Sequence, residues 1–126
     1  MTVATKTVGA VAQDINLYDA DAIRSIVSEA KDAAFKAATK HMDTHGENLY
    51  CGFAWVEIFG IKGNTRLGKA FKAAGVEKDY KGCYSIWNPS GLGTQCMWTK
   101  EVGAQAAADV FQRYGFARAY MGSRAD

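Results

Sequence analysis

Apolar positions recur along this chain at two different periods, and each change of period marks an element. From Ala20 to His41 the residues Ile23, Ile26, Val27, Ala30, Ala34, Ala37 and His41 fall on one stripe at the 3.6-residue spacing of an amphipathic helix. Asp19 stands at the N-cap position, where a carboxylate accepts from the first free N–H groups of a helix. Most of the stripe is alanine, so the helix is suited to close approach, and Phe35 lies off it. Asp43 to Asn48, with Gly46, reads as a polar loop. The period then becomes two. In Cys51-Gly52-Phe53-Ala54-Trp55-Val56-Glu57-Ile58-Phe59-Gly60, one face is Ala54, Val56 and Ile58 and the other is Phe53, Trp55, Glu57 and Phe59. A strand with one aliphatic and one aromatic face needs two different coverings, and it is predicted to be central to its sheet.

After it, Gly63-Asn64 opens a second helix through Ala74, with Leu67, Ala70, Phe71 and Ala74 inward and Gly75 as its stop. Lys81 to Asn88 reads as a strand, and the loop 88–93, which holds the one proline, as a connection to another strand from Gln95 to Trp98. Thr99 is placed to cap a third helix, Lys100 to Tyr114, with Val102, Ala106, Val110 and Tyr114 inward and Gly115 ending it. Phe116 to Gly122 is the last predicted strand, with Ala117, Ala119 and Met121 alternating against Arg118 and Tyr120. The expected fold is therefore α+β: a ferredoxin-like βαββαβ sandwich over about residues 49–122, preceded by an N-terminal amphipathic helix over about residues 20–41. Residues 1–16 are predicted to form an extended arm. Val56, Ile58, Leu67, Phe71, Val110 and Met121 are the expected core.

At 126 residues the chain is expected to be a single domain, 1–126, large enough to bury a core without staples. Its 48% apolar and 22% charged composition excludes a disordered chain. A net charge of +2, with a pI near 8.4, permits an anionic partner but falls short of a dedicated duplex-binding module. The three cysteines, Cys51, Cys83 and Cys96, form no CxxC pair, and no secretory apolar segment opens the chain, so a reduced cytoplasmic setting is expected. The cysteines themselves read as small buried hydrophobes. No apolar run approaches 18 residues, and no membrane partner is predicted.

Three groups of residues bear on chemistry. Gly63-Asn64-Thr65-Arg66-Leu67-Gly68-Lys69 spells GxxxxGK between a strand and a helix. Ala70 follows, where Mg²⁺ coordination needs Ser or Thr, and the Leu67–Phe71 core pair puts Gly68 inside the helix. A nucleotide-hydrolysing loop is thereby disfavoured, leaving Lys62, Arg66, Lys69 and Lys72 around a helix start, either a solvated basic face or an anion site. His41, Asp43, His45, Glu47 and Cys51 are all metal-ligand types, and two histidines four apart can share a helix face and an ion. The helix is expected to fray by Asp43, so the segment reads as an ordinary helix end, with no metal and no cofactor predicted.

The aromatic face is the third group. Phe53, Trp55, Glu57 and Phe59 would be joined by Arg118 and Tyr120, while Trp87 and Trp98 add to one face or the other according to register. So much aromatic area calls for a cover. The N-terminal helix, a second subunit and stacked bases are the three that compete. Glu57 is set either to have a raised pKa as a general base or to pair with Arg118. No Ser/His/Asp set or carboxylate pair assembles from the sequence.

Cys51-Gly52-Phe53-Ala54-Trp55-Val56, Gly63-Asn64-Thr65 with Gly68-Lys69, Val102-Gly103-Ala104-Gln105-Ala106 and Gly122-Ser123-Arg124-Ala125-Asp126 give residues 49–126 a pattern that resembles small proteins of tailed bacteriophages with no assigned activity. The resemblance implies a setting, the host cytoplasm during infection. The expected function is a binding protein without catalysis, self-associating as a homo-oligomer, that sequesters a nucleotide or other anionic ligand or inhibits a host protein. The alternatives are a single-stranded RNA- or DNA-binding module and a small phosphoester- or nucleotide-acting enzyme. The expected ligand residues are Lys62, Asn64, Thr65, Arg66 and Lys69 at the helix start, with Trp55, Arg118 and Arg124 supplying stacking and charge.

Overall fold

The computed structural model describes residues 14–47, 50–79 and 81–126. The expected extended arm falls almost wholly outside them. Its last residues enter a short 3₁₀ turn, Ile15–Leu17, where the Asp14 side chain accepts from Asn16 N–H. The elements that follow are α1 (Ala20–His45), β1 (Gly52–Ile58), α2 (Arg66–Ala73), β2 (Glu77–Lys78), β3 (Tyr84–Trp87), α3 (Met97–Arg113) and β4 (Ala119–Ala125). Among the described residues the architecture is α+β, a four-stranded antiparallel sheet with three α-helices. Strand order is β2-β3-β1-β4, every neighbouring pair antiparallel, so β1 is interior as its two-faced pattern requires. Among the described residues no helix is long and apolar enough to cross a membrane.

Asp19 caps α1, its carboxylate accepting from Ala22 N–H at 2.8 Å, and the helix runs four residues past its predicted end to Gly46, whose φ of +69° stops it. Nothing between Met42 and His45 breaks a helix, so polarity alone does not end one. The buried stripe is Ile23, Ile26, Val27, Ala30, Ala34, Ala38 and His41, with Ala38 in place of the expected Ala37. Its alanines let α1 lie against α3: a Cβ added at Gly103 would sit 3.2 Å from Ala34 O and 3.3 Å from Ala38 Cβ. Helix α3 is thus covered on two sides, by β1 and β4 and by α1. That second contact explains why Gly103, Ala104, Ala107, Ala108, Val110 and Phe111 are its buried positions, whereas Val102, Ala106 and Tyr114 are only half-buried.

The core lies between the helices and the aliphatic sheet face. Ala54, Val56 and Ile58 of β1 meet Ile23, Leu67, Phe71, Val110 and Phe111 there. Met121 is partly buried against this core, and the other five expected core residues are fully inside. Each large side chain taken wholly out of water contributes about 1.5–3 kcal/mol.

Two predicted elements are corrected. The hairpin is β2–β3, and not a pairing of residues 81–88 with 95–98. Asp79 makes the turn by accepting from Lys81 N–H at 2.8 Å and Cys83 N–H at 3.3 Å, with Gly82 at φ +82°. A two-residue strand carries no readable alternation, which hid β2. Gln95 to Trp98 is the start of α3: Cys96 is its N-cap, Cys51 and Cys96 form one isolated bridge, and Met97 N–H donates to Tyr50 O. Thr99 therefore lies inside the first turn and is not the cap. The loop after β3 leads to a helix and not to a strand.

Candidate functional site: the open face of the sheet

Alternation along β1 sends Phe53, Trp55, Glu57 and Phe59 to the face away from the helices. Antiparallel register brings their cross-strand partners to the same face: Arg124 opposite Phe53, Gly122 and Trp87 opposite Trp55, Tyr120 and Ser85 opposite Glu57. Helix α1 packs on α3 and does not cover this face, which removes one of the three expected coverings. Trp87 is 57% exposed and Tyr120 48%. Register settles the two open tryptophans: Trp87 joins the aromatic face, while Trp98 sits on α3 against His41 and His45.

Trp55 and Trp87 lie parallel, 6° apart in plane with centroids 5.4 Å apart, and Phe53 leans on Trp87 at 5.4 Å. The Trp55 indole lies across the backbone of Gly122, where an added Cβ would be only 2.6 Å from Nε1. Gly122 is therefore part of the platform, a role that only the strand register reveals. Cations flank both ends. The Arg124 guanidinium and Lys100 Nζ stand over Phe53 at 5.6 and 5.1 Å, and the Arg118 guanidinium and Lys81 Nζ over Phe59 at 5.6 and 5.9 Å. Arg118 ends the turn before β4 and Arg124 lies near the end of that strand, about 20 Å away along it.

Beside Phe59 lies a polar knot. Glu57 is buried and pairs with Lys81, not with the expected Arg118. The Cys83 thiol donates to Asp79 Oδ2 at 3.2 Å and lies 4.0 Å from Glu57 Oε2. Burial, with Asp79 and Glu57 adding negative charge, pushes that thiol up to about 11. Burial also acts to raise Asp79, but donation from Cys83 Sγ and from the Lys81 and Cys83 N–H groups, with the Lys81 charge, holds it below its usual value. The thiol keeps its proton at neutral pH and is no nucleophile, and Lys81 offsets the charge of the Glu57 carboxylate. The odd-numbered series Asp79, Lys81, Cys83, Ser85 carried the signal for this cluster in the sequence.

The expected anion residues fall into two places. Trp55, Arg118 and Arg124 share the open face. Lys62, Asn64, Thr65, Arg66 and Lys69 are exposed at the start of α2, beyond Gly60 in the chain, where a Cβ would be 3.4 Å from Arg118 Nη1. Thr65 already caps α2, accepting from Gly68 N–H at 3.1 Å and donating to Lys62 O at 2.6 Å. The Lys62 carbonyl fills the space over Gly68, so the GxxxxGK segment closes on itself and holds no phosphate cradle. Of the five metal-ligand types near residue 45, only His41 and His45 come together. Glu47 accepts from Thr94, and Cys51 pairs by backbone with Cys96.

One pH dependence follows from these groups. Cys83 is raised from 9.0, and burial raises Tyr18, Tyr84 and Tyr114 from 10.0, Tyr114 to about 12 with help from Glu29. Each keeps its proton in the fold where the unfolded chain has lost it, so stability falls as pH rises through about 9 toward 12. Thermal melts should give a midpoint that drops steadily above pH 9. A midpoint unchanged to pH 11 would contradict the assigned burial. Compared with family models, with curated proteins and with solved structures, the chain matches none.

Proposed function

We propose that the protein is a non-catalytic binder of single-stranded nucleic acid, which lies along β1 on the open sheet face. Bases stack on Trp87, Trp55 and Phe53, Arg124 and Arg118 hold phosphates at the two ends, and Lys62, Arg66 and Lys69 continue the basic track past Gly60. The observation that carries this reading is the parallel Trp55–Trp87 pair, its outer ring 57% exposed, between two arginines. Base–aromatic stacking tolerates any sequence, and guanidinium groups suit phosphates. We assign β1 to β4 to the ferredoxin-like arrangement, supported by the order β2-β3-β1-β4 with β1 and β3 central. Sheets of that topology stack bases on their central strands.

A span of about 20 Å between the arginines favours a polymer over a mononucleotide. Charge disfavours one such cover, a second copy whose β4 lies antiparallel over this one, because that pairing sets Arg118 opposite Arg124. The small phosphoester-acting alternative is disfavoured because Glu57 is spent on Lys81 and Cys83 on Asp79. The resemblance to phage proteins would place the binding in an infected cell's cytoplasm.

Anisotropy titration of labelled twelve-residue oligo-U and oligo-dT tests the reading. With two to five phosphates neutralised, log K should fall with log salt at a slope of about −1.4 to −3.5. Trp87→Ala should weaken binding about 5- to 150-fold, the worth of one stacked base. Unchanged affinity in Trp87→Ala would overturn the face as the site. A concentration-dependent dimer abolished by the same change would establish self-association in its place.

A further inference from the structure

We propose a second site, a divalent transition-metal site of the nickel–copper type, at the seam where the end of α1 meets the start of α3, with His41 Nε2 and His45 as its protein ligands. It lies apart from the sheet face. His41 is 8% exposed, and its Nδ1 lies 3.0 Å from Thr99 Oγ1, itself fully buried on α3. With Nδ1–H donating to that hydroxyl, the lone pair is on Nε2, which has no hydrogen-bond partner among the described residues. A buried imidazole nitrogen left so is costly unless something binds it. Donation from the far nitrogen to an oxygen acceptor fixes tautomer and ring orientation for a metal, and here the acceptor is the Thr99 hydroxyl.

The rings packed against His41 are those of His45 at 4.7 Å and Trp98 at 4.2 Å, and Trp98 also lies 4.7 Å from His45. Ligand type sets the ion class, because imidazole nitrogens suit Ni²⁺ and Cu²⁺. With metal–nitrogen bonds of about 2.1 Å and about 1.2 Å from nitrogen to ring centre, two imidazoles at a right angle on one ion have centroids about 4.7 Å apart, and at the tetrahedral angle about 5.4 Å. The observed 4.7 Å fits the right angle, which square-planar and octahedral Ni²⁺ and Cu²⁺ prefer. Helix α1 had to continue to His45 for this pair to form, so a helix ending at His41 would have hidden it. Thr99 is a positioning residue.

The test uses the full-length, untagged protein and Ni²⁺. Calorimetry should give one Ni²⁺ per chain, with affinity above that for Zn²⁺. His45→Ala, at an exposed position, should lose at least about tenfold in affinity while the fold stays intact, whatever becomes of His41→Ala. Thr99→Val should weaken Ni²⁺ about tenfold, where a merely structural threonine would change only the melting midpoint. Paramagnetic Ni²⁺ should broaden the indole N–H signal of Trp98 and spare those of Trp55 and Trp87. No binding at millimolar Ni²⁺, unchanged affinity in His45→Ala, or broadening at Trp55 and Trp87 would each overturn the site.

Discussion

Val56→Asp is expected to leave the protein without a cooperative unfolding transition. Val56 is wholly buried at the middle of β1, paired with Ile86 on one side and Met121 on the other, and shares the core with Ile58, Phe71 and Phe111. A carboxylate there either stays charged in an apolar interior or takes up a proton far from its usual range. Either way the cost is several kcal/mol, set against a total stability of about 5–15 kcal/mol for a domain of this kind. The opposite face supplies the control, since Tyr120 lies one residue from Val56's partner and is half exposed. Tyr120→Asp should change stability by less than about 1 kcal/mol. Circular dichroism through a urea series distinguishes the two, and a native-like midpoint for Val56→Asp would contradict the assignment of faces.

Gly68→Ala is expected to destabilise by about 1–3 kcal/mol or more, although alanine in a helix ordinarily gains about 1 kcal/mol over glycine. The Cβ would stand 2.2 Å from Lys62 O and 2.8 Å from Gly63 Cα, both backbone atoms that no rotamer change can move aside. Relieving the clash pushes the β1–α2 loop off the helix, with loss of the Thr65–Lys62 bond and strain on Tyr84, whose hydroxyl donates to Gly68 O at 3.1 Å. A urea midpoint raised by the substitution would contradict the closed loop, and with it the statement that GxxxxGK here is packing.

What the sequence made legible was local and periodic. The two faces of β1 and the stripe of α1 follow from spacing alone, and Gly75 and Gly115 stop α2 and α3 with φ of +88° and +102°, as glycines placed just past a periodic run should. What it hid depends on residues far apart in the chain. Two residues suffice for β2 only because Tyr84 and Ser85 lie beside them, and Gln95–Trp98 looks like a strand until Met97 N–H is found on Tyr50 O. The partner of Glu57 is Lys81 because the Asp79 turn carries it there, and Gly122 belongs to the platform because the β1–β4 register sets it under Trp55. Of the site, the aromatic strand and its arginines were readable. Its exposure was not, since that turns on which helix face α1 prefers.

The three tryptophans provide the most direct measurement of the central claim, because they stand on opposite sides of the molecule. Trp55 and Trp87 lie on the open sheet face, and Trp98 lies at the α1–α3 seam. In a nitrogen–proton correlation spectrum each indole N–H gives its own signal. Addition of a single-stranded oligonucleotide in low salt should shift Trp55 and Trp87 progressively and leave Trp98 in place. Shifts confined to Trp98, or none at all, would contradict nucleic-acid binding on the sheet.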